Sequence, residues 1–345
     1  MRLVVLYEEL APYFFKGIEK FATTFNVPVM LVCKQVNPVA PFQFQPSTHL
    51  VKIIYREKYS INELYHQIQQ FQPTCLFQAG WIYKDYFTIV KKLDLSCNVL
   101  LLDNQWKGTF RQILGSKYFK LKYKHLFQKA FVPGSLQKQF ALHLGFDEKN
   151  IITGFYCADT EYFHSIYQQR IHSKKRNYNF LYIGRYATEK NIQMLWDCFI
   201  ELSNEFSHQW NLICAGKGSI VPAHYSKIQH IGFIQPHQLK DILLQSDVFV
   251  LPSKFEPYGV VIHEVASAGL PIIASEEVGA VEYFVEHNKN GFVFLPTNKD
   301  QLKKYLKQFI NLNDDEYWKM CEHSYQLSQK ITTDKWIKII YDICQ

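Results

Sequence analysis

The chain has 345 residues, which is long enough for two domains of ordinary size. With 48% hydrophobic and 20% charged residues, its composition excludes an intrinsically disordered protein. No apolar run approaches the roughly 18 residues of a membrane-spanning helix, and the start, MRLVVLYEEL, lacks the form of a signal peptide. Eight scattered cysteines without a C-x-x-C pair indicate reduced thiols, neither disulfides nor zinc ligands. These features predict a cytoplasmic protein.

The first half alternates short apolar runs with amphipathic segments, a pattern typical of a doubly wound parallel sheet. Strands are predicted at 3–7, 27–33, 49–55, 74–79, 98–102, 129–132 and 150–155. A loop with three prolines is predicted at 35–48. A second alternating series has strands predicted at 180–183, 211–215, 229–233, 248–251, 272–274 and 291–294. Helices are predicted after it at 298–311, 315–329 and 332–344.

The polar, aperiodic stretch between the two series predicts a boundary between two domains. We assign residues 1–160 to an N-terminal Rossmann-like domain and 161–178 to a linker. Residues 179–330 form the predicted C-terminal Rossmann-like domain. The last segment, 331–345, is predicted to be a helix that packs back on the N-terminal domain.

The stretch from Asp247 to Ser275, DVFVLPSKFEPYGVVIHEVASAGLPIIAS, reads as strand, loop, helix and strand. Glu256 lies in the loop, and Glu264 lies a few residues into the helix. Around Gly259, free backbone amides at the helix N-terminus suit a phosphate. A carboxylate next to a phosphate-binding site is electrostatically unfavourable unless it accepts hydrogen bonds from hydroxyls, and a sugar supplies such hydroxyls. The pattern therefore predicts a nucleotide-sugar site.

The segment E-P-Y-G-V-V-I-H-E, from Glu256 to Glu264, resembles the E-x7-E motif of retaining glycosyltransferases with the GT-B fold, particularly family 4. Flanking segments in the same order agree with that family over residues 179–295. The resemblance implies two Rossmann-like doubly wound parallel-sheet domains facing a central cleft. It also implies that the domain at 1–160 is the acceptor side and that the domain at 179–330 binds the nucleotide sugar. It also implies a metal-independent glycosyltransferase of hexosyltransferase type that needs no cofactor beyond its nucleoside diphosphate sugar substrate.

The resemblance also assigns roles to residues of the second domain. It implies that Glu264 binds the ribose and that Glu256 contacts the donor sugar near the reacting carbon. Arg185 and Lys190 follow a strand, and two cations at this position would neutralise a diphosphate without a metal. The remaining donor-binding candidates are glycines, backbone amides and a residue beside the base: Gly184, Gly216, Gly218, Phe233, Tyr258, Gly259 and Val260.

The first domain departs from the family pattern. Many relatives have a Gly-Gly loop after the first strand, where this chain has Glu8 and Glu9. Either carboxylate would contact a sugar, or it would simply be a helix-start residue, the interpretation we favour. Asp103 follows the strand at 98–102 and is the candidate catalytic residue on the acceptor side.

The excess of positive charge lies in the first half, where residues 1–165 contain 19 Lys and Arg against 12 Asp and Glu. Residues 104–146 contain eight bases and no acid, and aromatic residues are interleaved among them. One interpretation of residues 107–129 is a surface for anionic membranes. The alternative is a solvated helix whose aromatics are core. We favour the first, which would place the protein peripherally on the inner face of the plasma membrane. Nucleic acid is not an expected partner, since no binding motif is recognisable.

These features together predict a retaining glycosyltransferase that acts on a glycan or lipid-linked acceptor in bacterial surface polysaccharide or glycoconjugate synthesis. The alternatives are a GT-B-fold sugar phosphorylase or epimerase, or a non-catalytic glycosyltransferase-like partner subunit. A dinucleotide-dependent oxidoreductase is disfavoured, because no G-x-G-x-x-G follows the first strand of either domain.

Overall fold

The computed structural model describes residues 1–35 and 41–345. Part of the loop predicted at 35–48, residues 36–40, therefore lies outside the described residues. The chain divides into two compact units. The first unit comprises Met1–Cys157 and Thr333–Gln345, and the second comprises Ala158–Thr332.

The first unit is built on a seven-stranded parallel sheet in the order β3-β2-β1-β4-β5-β6-β7. Its strands are β1 (Leu3–Leu6), β2 (Val29–Cys33), β3 (Val51–Tyr55), β4 (Cys75–Ala79), β5 (Asn98–Leu101), β6 (Lys129–Val132) and β7 (Ile151–Thr153). The intervening helices are α1 (Pro12–Phe25), α2 (Ile61–Phe71), α3 (Lys84–Leu93), α4 (Phe110–Lys122) and α5 (Ser135–His143). The central strands are apolar on both faces, as expected for a parallel sheet covered by helices on both sides.

The C-terminal helix belongs to the first unit although the second unit separates it in sequence. We name it α13 (Thr333–Cys344). Its Trp336 is buried, donates its indole N–H to the Phe155 carbonyl at 2.8 Å and lies against Gly17 of α1. A Cβ on Gly17 would come within 2.6 Å of the Trp336 ring, so this glycine permits the close approach of the two helices.

The second unit has a six-stranded parallel sheet in the order β10-β9-β8-β11-β12-β13. Its strands are β8 (Asn179–Ile183), β9 (Asn211–Ala215), β10 (Ile228–Gly232), β11 (Val248–Leu251), β12 (Ile272–Ser275) and β13 (Gly291–Phe294). Its helices are α6 (Thr160–Ser173), α7 (Ile192–Glu205), α8 (Leu239–Leu244), α9 (Val260–Ser267), α10 (Val281–Phe284), α11 (Lys299–Ile310) and α12 (Asp314–Ser328). Each predicted strand of both series is found with ends within two residues of the prediction.

The stretch predicted as a linker, 161–178, contains a helix, α6, that packs within the second unit. Arg170 is buried together with Phe163, Ile166 and Tyr167 on the packed face of α6. Its buried guanidinium donates to the carbonyls of Leu243 and Ser246 at 2.7 and 2.6 Å, and to the Tyr317 hydroxyl at 2.7 Å. Such a network is invisible to apolar periodicity, because a single buried arginine replaces part of an apolar stripe.

Within the described residues, no helix is long and apolar enough to cross a membrane.

Candidate functional site

The two predicted donor-site clusters meet at one point of the second sheet. β8 and β11 are neighbours in the sheet, and the strand order runs outward from them in opposite directions. The loops that leave two such strands diverge and open a crevice at their carboxyl ends. The loop after β8 carries Gly184, Arg185 and Lys190, whereas the loop after β11 carries Glu256 and leads into α9. The predicted residues therefore come from both sides of this switch point.

Lys190 and Glu256 form an ion pair between Nζ and Oε2. Their side chains are only 13% and 16% exposed, so the pair is shielded from solvent. The backbone fixes the two loops together as well. The Glu189 carbonyl accepts from the amide of Lys254 at 2.8 Å and from that of Phe255 at 3.4 Å. A shielded pair held in this way keeps both charges at the crevice, and removal of either partner leaves the other uncompensated.

Arg185 is the accessible cation of this cluster. Its side chain is 62% exposed, and its guanidinium contacts the Glu189 carboxylate at 3.3 Å. The Tyr182 hydroxyl donates to the Arg185 carbonyl at 2.8 Å and so fixes the backbone beneath the guanidinium. An exposed ion pair of this kind contributes little stability, so the Arg185 guanidinium can readily leave Glu189 to bind an anionic ligand. The crevice therefore combines a shielded cation, Lys190, with an exposed cation, Arg185.

The N-terminus of α9 lies at the same edge. Gly259 precedes the helix with φ of 84°, in the left-handed region that favours glycine. Val260 is the first helical residue, and Tyr258 before the glycine is buried. The first-turn amides of a helix have no acceptor within the helix, so they favour an anion at its N-terminus.

The loop after β12 contacts the segment that leads into α9. The Ala280 amide donates to the Tyr258 carbonyl at 2.7 Å. A Cβ on Gly279 would lie 2.4 Å from the Pro257 carbonyl oxygen, so glycine is required where the two loops touch. The segment that presents the α9 amides is therefore held by its neighbour in the sheet.

Glu264 lies on the second turn of α9 and is half-buried. Burial raises the pKa of its carboxyl to about 7, and the nearby charge of Asp159 adds to the rise. Asp159 itself accepts from the Tyr162 amide at 3.3 Å and caps α6. Two carboxylates facing one region suit hydroxyl donors better than they suit another anion.

Sequence reasoning missed Asp159 because it lies at the end of the predicted first domain, 1–160, just before the predicted linker. The available signal was the Asp-Thr-Glu pattern, which is typical of a helix N-terminus.

The candidate glycines Gly216 and Gly218 allow two loop backbones to touch. A Cβ on Gly216 would lie 1.8 Å from the Gly184 carbonyl oxygen, and one on Gly218 would lie 2.1 Å from that of Tyr186. Both glycines are thus explained by packing, with or without a ligand nearby. Phe233 follows β10 and is half-buried beside this loop pair, where Gly216 donates its amide to the Gly232 carbonyl at 2.7 Å.

His263, inside the E-x7-E segment, is a structural residue. It is buried, accepts at Nδ1 from the Ala158 amide at 3.1 Å and contacts the Ser328 carbonyl through Nε2 at 3.2 Å. Its ring stacks on Phe284 with centroids 4.2 Å apart. Burial lowers its pKa to about 4, so the ring is neutral and bonds α9 to the first residue of the second unit and to the end of α12.

The first unit has its own polar cluster, around Asp103. Asp103 lies just beyond β5, and its Oδ2 accepts from the Tyr156 hydroxyl at 3.0 Å. Burial raises the pKa of Asp103. Burial, with the Asp103 charge next to it, also raises the pKa of Tyr7 at the end of β1. The cluster therefore holds a carboxylate with a tyrosine hydroxyl as its hydrogen-bond donor. Tyr156 had no motif that marked it in the sequence.

Glu8 is an ion-paired residue of the first unit. Its carboxylate pairs with Lys34, and Arg56 lies 3.5 Å away from it. Arg56 also contacts Asp85 at 3.1 Å. Lys34 and Arg56 follow β2 and β3, so Glu8 joins the loops at this edge of the sheet. Helix α1 has no acidic residue in its first turn, so Glu8 is an ion-paired loop residue and not the helix-start residue favoured from the sequence.

Among residues 1–35 and 41–345, no group of three or more His, Cys, Asp or Glu side chains has the arrangement of a metal site.

Residues 165–327 match the family model of glycosyl transferases group 1. The chain is 30% identical over 131 residues to an uncharacterised glycosyltransferase of Methanocaldococcus jannaschii. The aligned region covers 35% of this chain and 33% of that protein. It is 24% identical over 182 residues to the GtfA subunit of a UDP-N-acetylglucosamine–peptide N-acetylglucosaminyltransferase of Streptococcus agalactiae, across 50% of this chain and 36% of that protein. The chain thus matches about a third of the length of each relative.

A solved structure resembles the chain over nearly its whole length. Anabaena HepE in complex with UDP superposes with a TM-score of 0.73 at 14% identity, covering 99% of each chain. At this identity the likeness shows the fold alone. The predicted fold class, two parallel α/β units of the GT-B type, is confirmed. The family model and the relatives support assignment to group 1 glycosyltransferases, whereas retention and membership of family 4 stay predictions.

Proposed function

We propose that this chain is a group 1 glycosyltransferase that moves a sugar from a nucleoside diphosphate sugar to a glycan or lipid-linked acceptor, with retention of configuration. The shielded Lys190–Glu256 pair carries the proposal, because it lies at the sheet's switch point beside an exposed arginine and a helix N-terminus. The group 1 match over these same residues supports it. UDP in the structure of one fold neighbour supports a nucleotide donor.

In this proposal the diphosphate binds at the N-terminus of α9. The backbone amides of Tyr258, Gly259 and Val260 contact the β-phosphate, and Arg185 exchanges its exposed contact with Glu189 for the phosphate oxygens. Lys190 contributes its charge from the shielded side. The incoming diphosphate competes with Glu256 for Lys190 and frees the Glu256 carboxylate to accept from the sugar hydroxyls.

The nucleoside binds further from the reacting carbon. Glu264 accepts hydrogen bonds from the ribose hydroxyls, and this favours its charged form against the burial that raises its pKa. Gly184, Gly216 and Gly218 provide the close-packed loops beside the nucleotide, and Phe233 lies against the base.

The transfer breaks the bond between the anomeric carbon and the diphosphate oxygen and forms a bond from that carbon to the acceptor oxygen on the same face. The acceptor proton passes to the departing phosphate oxygen. Charge that builds on the diphosphate is stabilised by Arg185, Lys190 and the α9 amides, without a metal ion. Asp103 of the first unit binds the acceptor hydroxyl, and Tyr156 holds the Asp103 carboxylate in place.

The proposal is tested by thermal shift with UDP-, GDP-, dTDP- and ADP-sugars, in the presence and absence of EDTA. We expect one nucleotide class to stabilise the wild-type protein, unchanged by EDTA, and to lose its effect in Glu264→Gln and Arg185→Ala. Glu322→Gln and Lys304→Ala change exposed residues of the same unit and serve as matched controls. If no nucleotide sugar raises the melting temperature, the transferase proposal fails and a non-catalytic partner subunit becomes the better description.

A further inference from the structure

Helix α4 of the first unit has an outward apolar stripe. Leu121 is 85% exposed and Phe110 is 76% exposed, and Leu114 is half-exposed. At about 100° per residue, these three side chains lie within roughly 40° of one another around the helix. Ile113 and Tyr118 flank them and are also exposed. A surface helix normally turns its apolar side chains inward, so this stripe has no role in the core of the unit.

The opposite face of α4 is already packed. Phe119 is buried among Phe87 and Phe127, with ring centroids 5.9 and 6.2 Å away. Gly115 allows Trp81 to lie against the helix, since a Cβ there would meet the Trp81 ring at 2.7 Å. The sequence left open whether the apolar residues of 107–129 are core or surface. Phe119 and Phe127 belong to the core, whereas the stripe residues are on the surface.

Basic side chains border the stripe on both sides. Arg111 and Lys122 lie on one flank of the helix, Lys120 lies on the other, and Lys117 lies within the stripe. All four are exposed, and no Asp or Glu occurs anywhere in residues 104–146. Exposed leucine and phenylalanine between lysines give the arrangement of a helix that lies in a membrane interface, with its cations at the level of the headgroups.

We propose that the stripe of α4, formed by Phe110, Ile113, Leu114, Tyr118 and Leu121, docks the protein on an anionic lipid bilayer. Charge complementarity selects this occupant: a surface with four cations and no acid is attracted to acidic headgroups, and the apolar side chains then enter the acyl boundary. A second copy of this chain would bring the same cations together and is disfavoured by repulsion. The inference needs neither donor binding nor catalysis, so it stands or fails independently of the proposed transferase.

The test is cosedimentation of the full chain with vesicles of equal parts phosphatidylcholine and phosphatidylglycerol, compared with phosphatidylcholine alone. We expect binding to the anionic vesicles only, with loss at high salt. Leu121→Ser should weaken partition about tenfold, since one exposed leucine no longer enters the bilayer. Arg111→Ser combined with Lys117→Ser should weaken it roughly twentyfold.

Matched controls distinguish vesicle binding through this surface from nonspecific binding by other exposed side chains. Val221→Ser removes an apolar side chain of the second unit that is 77% exposed, and Lys52→Ser with Lys149→Ser removes two exposed cations of the first unit. Both controls should bind as the wild type does. Equal binding to neutral vesicles, or equal losses in the controls, would overturn the proposal. So would a result in which Leu121→Ser changes only the mass in solution, measured by light scattering, because the stripe would then be a protein interface.

Discussion

The carboxyl edges of the two sheets hold their carboxylates differently. In the second unit Glu256 is neutralised by Lys190, with the exposed Arg185 nearby. In the first unit Asp103 is held by the Tyr156 hydroxyl, and burial raises its pKa. The first arrangement supplies positive charge for an anionic ligand. The second supplies a hydrogen-bond acceptor for a hydroxyl. The proposed function assigns the donor to the second unit and the acceptor to the first, and the following predictions test that division.

The largest effect is expected for Lys190→Ala. This change removes a cation from the proposed diphosphate site and leaves the shielded Glu256 carboxylate without its partner. We therefore expect kcat to fall on the order of a thousandfold. Steady-state kinetics with the donor found by thermal shift measures it. Lys304→Ala, an exposed lysine on α11, is the control and should keep its activity. A Lys190→Ala variant within tenfold of the wild type would show that the pair is only structural.

The next effect concerns the first unit. Asp103→Asn should lower kcat about a hundredfold while the affinity for the nucleotide sugar stays unchanged, because the acceptor loses its strongest hydrogen-bond partner. Tyr156→Phe should lower kcat about tenfold, since Asp103 loses the hydroxyl that positions it. Calorimetry of donor binding distinguishes a loss at the acceptor side from a loss of donor affinity.

Asp94→Asn is the control for this pair, because Asp94 is exposed at the end of α3 in a left-handed conformation that asparagine tolerates. Loss of donor affinity in Asp103→Asn would break the division between the units.

Glu264 should make donor binding depend on pH. With a pKa of about 7, its carboxyl is neutral in mildly acidic solution and charged above pH 7, and the charged form accepts ribose hydroxyls better. Affinity should therefore rise as pH increases through 7, and Glu264→Gln should bind weakly at every pH. The stability of the free protein changes in the opposite direction. The folded state keeps the Glu264 proton to higher pH than the unfolded state does, so this group stabilises less as pH rises from its ordinary pKa to 7.

Glu264→Gln should consequently be more stable than the wild type at about pH 8, by on the order of 1.4 kcal/mol for each unit of pKa shift. Urea denaturation measures this gain, and Glu322→Gln is the control. A variant that loses both stability and binding would indicate a structural role for Glu264.

The last prediction concerns stability and not catalysis, and it is a change in the pH dependence of unfolding through His263. Its folded pKa of about 4 lies below the unfolded value of 6.5, so the unfolded state takes up a proton first as pH falls. The second unit should lose about 3 kcal/mol of unfolding free energy between pH 6.5 and 4 through this group. His263→Gln should start less stable at neutral pH and show a flatter dependence, whereas exposed His224→Gln should retain the wild-type slope. An unchanged slope in His263→Gln would place the acid sensitivity elsewhere.

Strand positions were predictable because each central strand is a short, mainly apolar run bounded by loops, and burial on both faces favours that composition. The E-x7-E segment was equally visible, since its spacing around Gly259 places two carboxylates and a helix N-terminus at one strand end. Helix α6 was missed because its buried face has few apolar residues and includes an arginine, whose guanidinium is bonded to carbonyls more than 70 residues away. The aromatics of residues 107–129 could not be sorted into core and surface, since only helix orientation distinguishes Phe119 from Leu121.

The sequence by itself determined the alternation of strands and helices, the excess of positive charge in the first half and the chemical character of the proposed donor-binding residues. These properties are local, because apolar period, composition and motif spacing involve residues near one another in the chain. Only the tertiary structure decided that Lys190 pairs with Glu256, that Tyr156 holds Asp103 and that α13 completes the first unit. Each of these contacts joins residues more than 50 positions apart, and their meeting depends on strand order in the sheet, which no local pattern specifies.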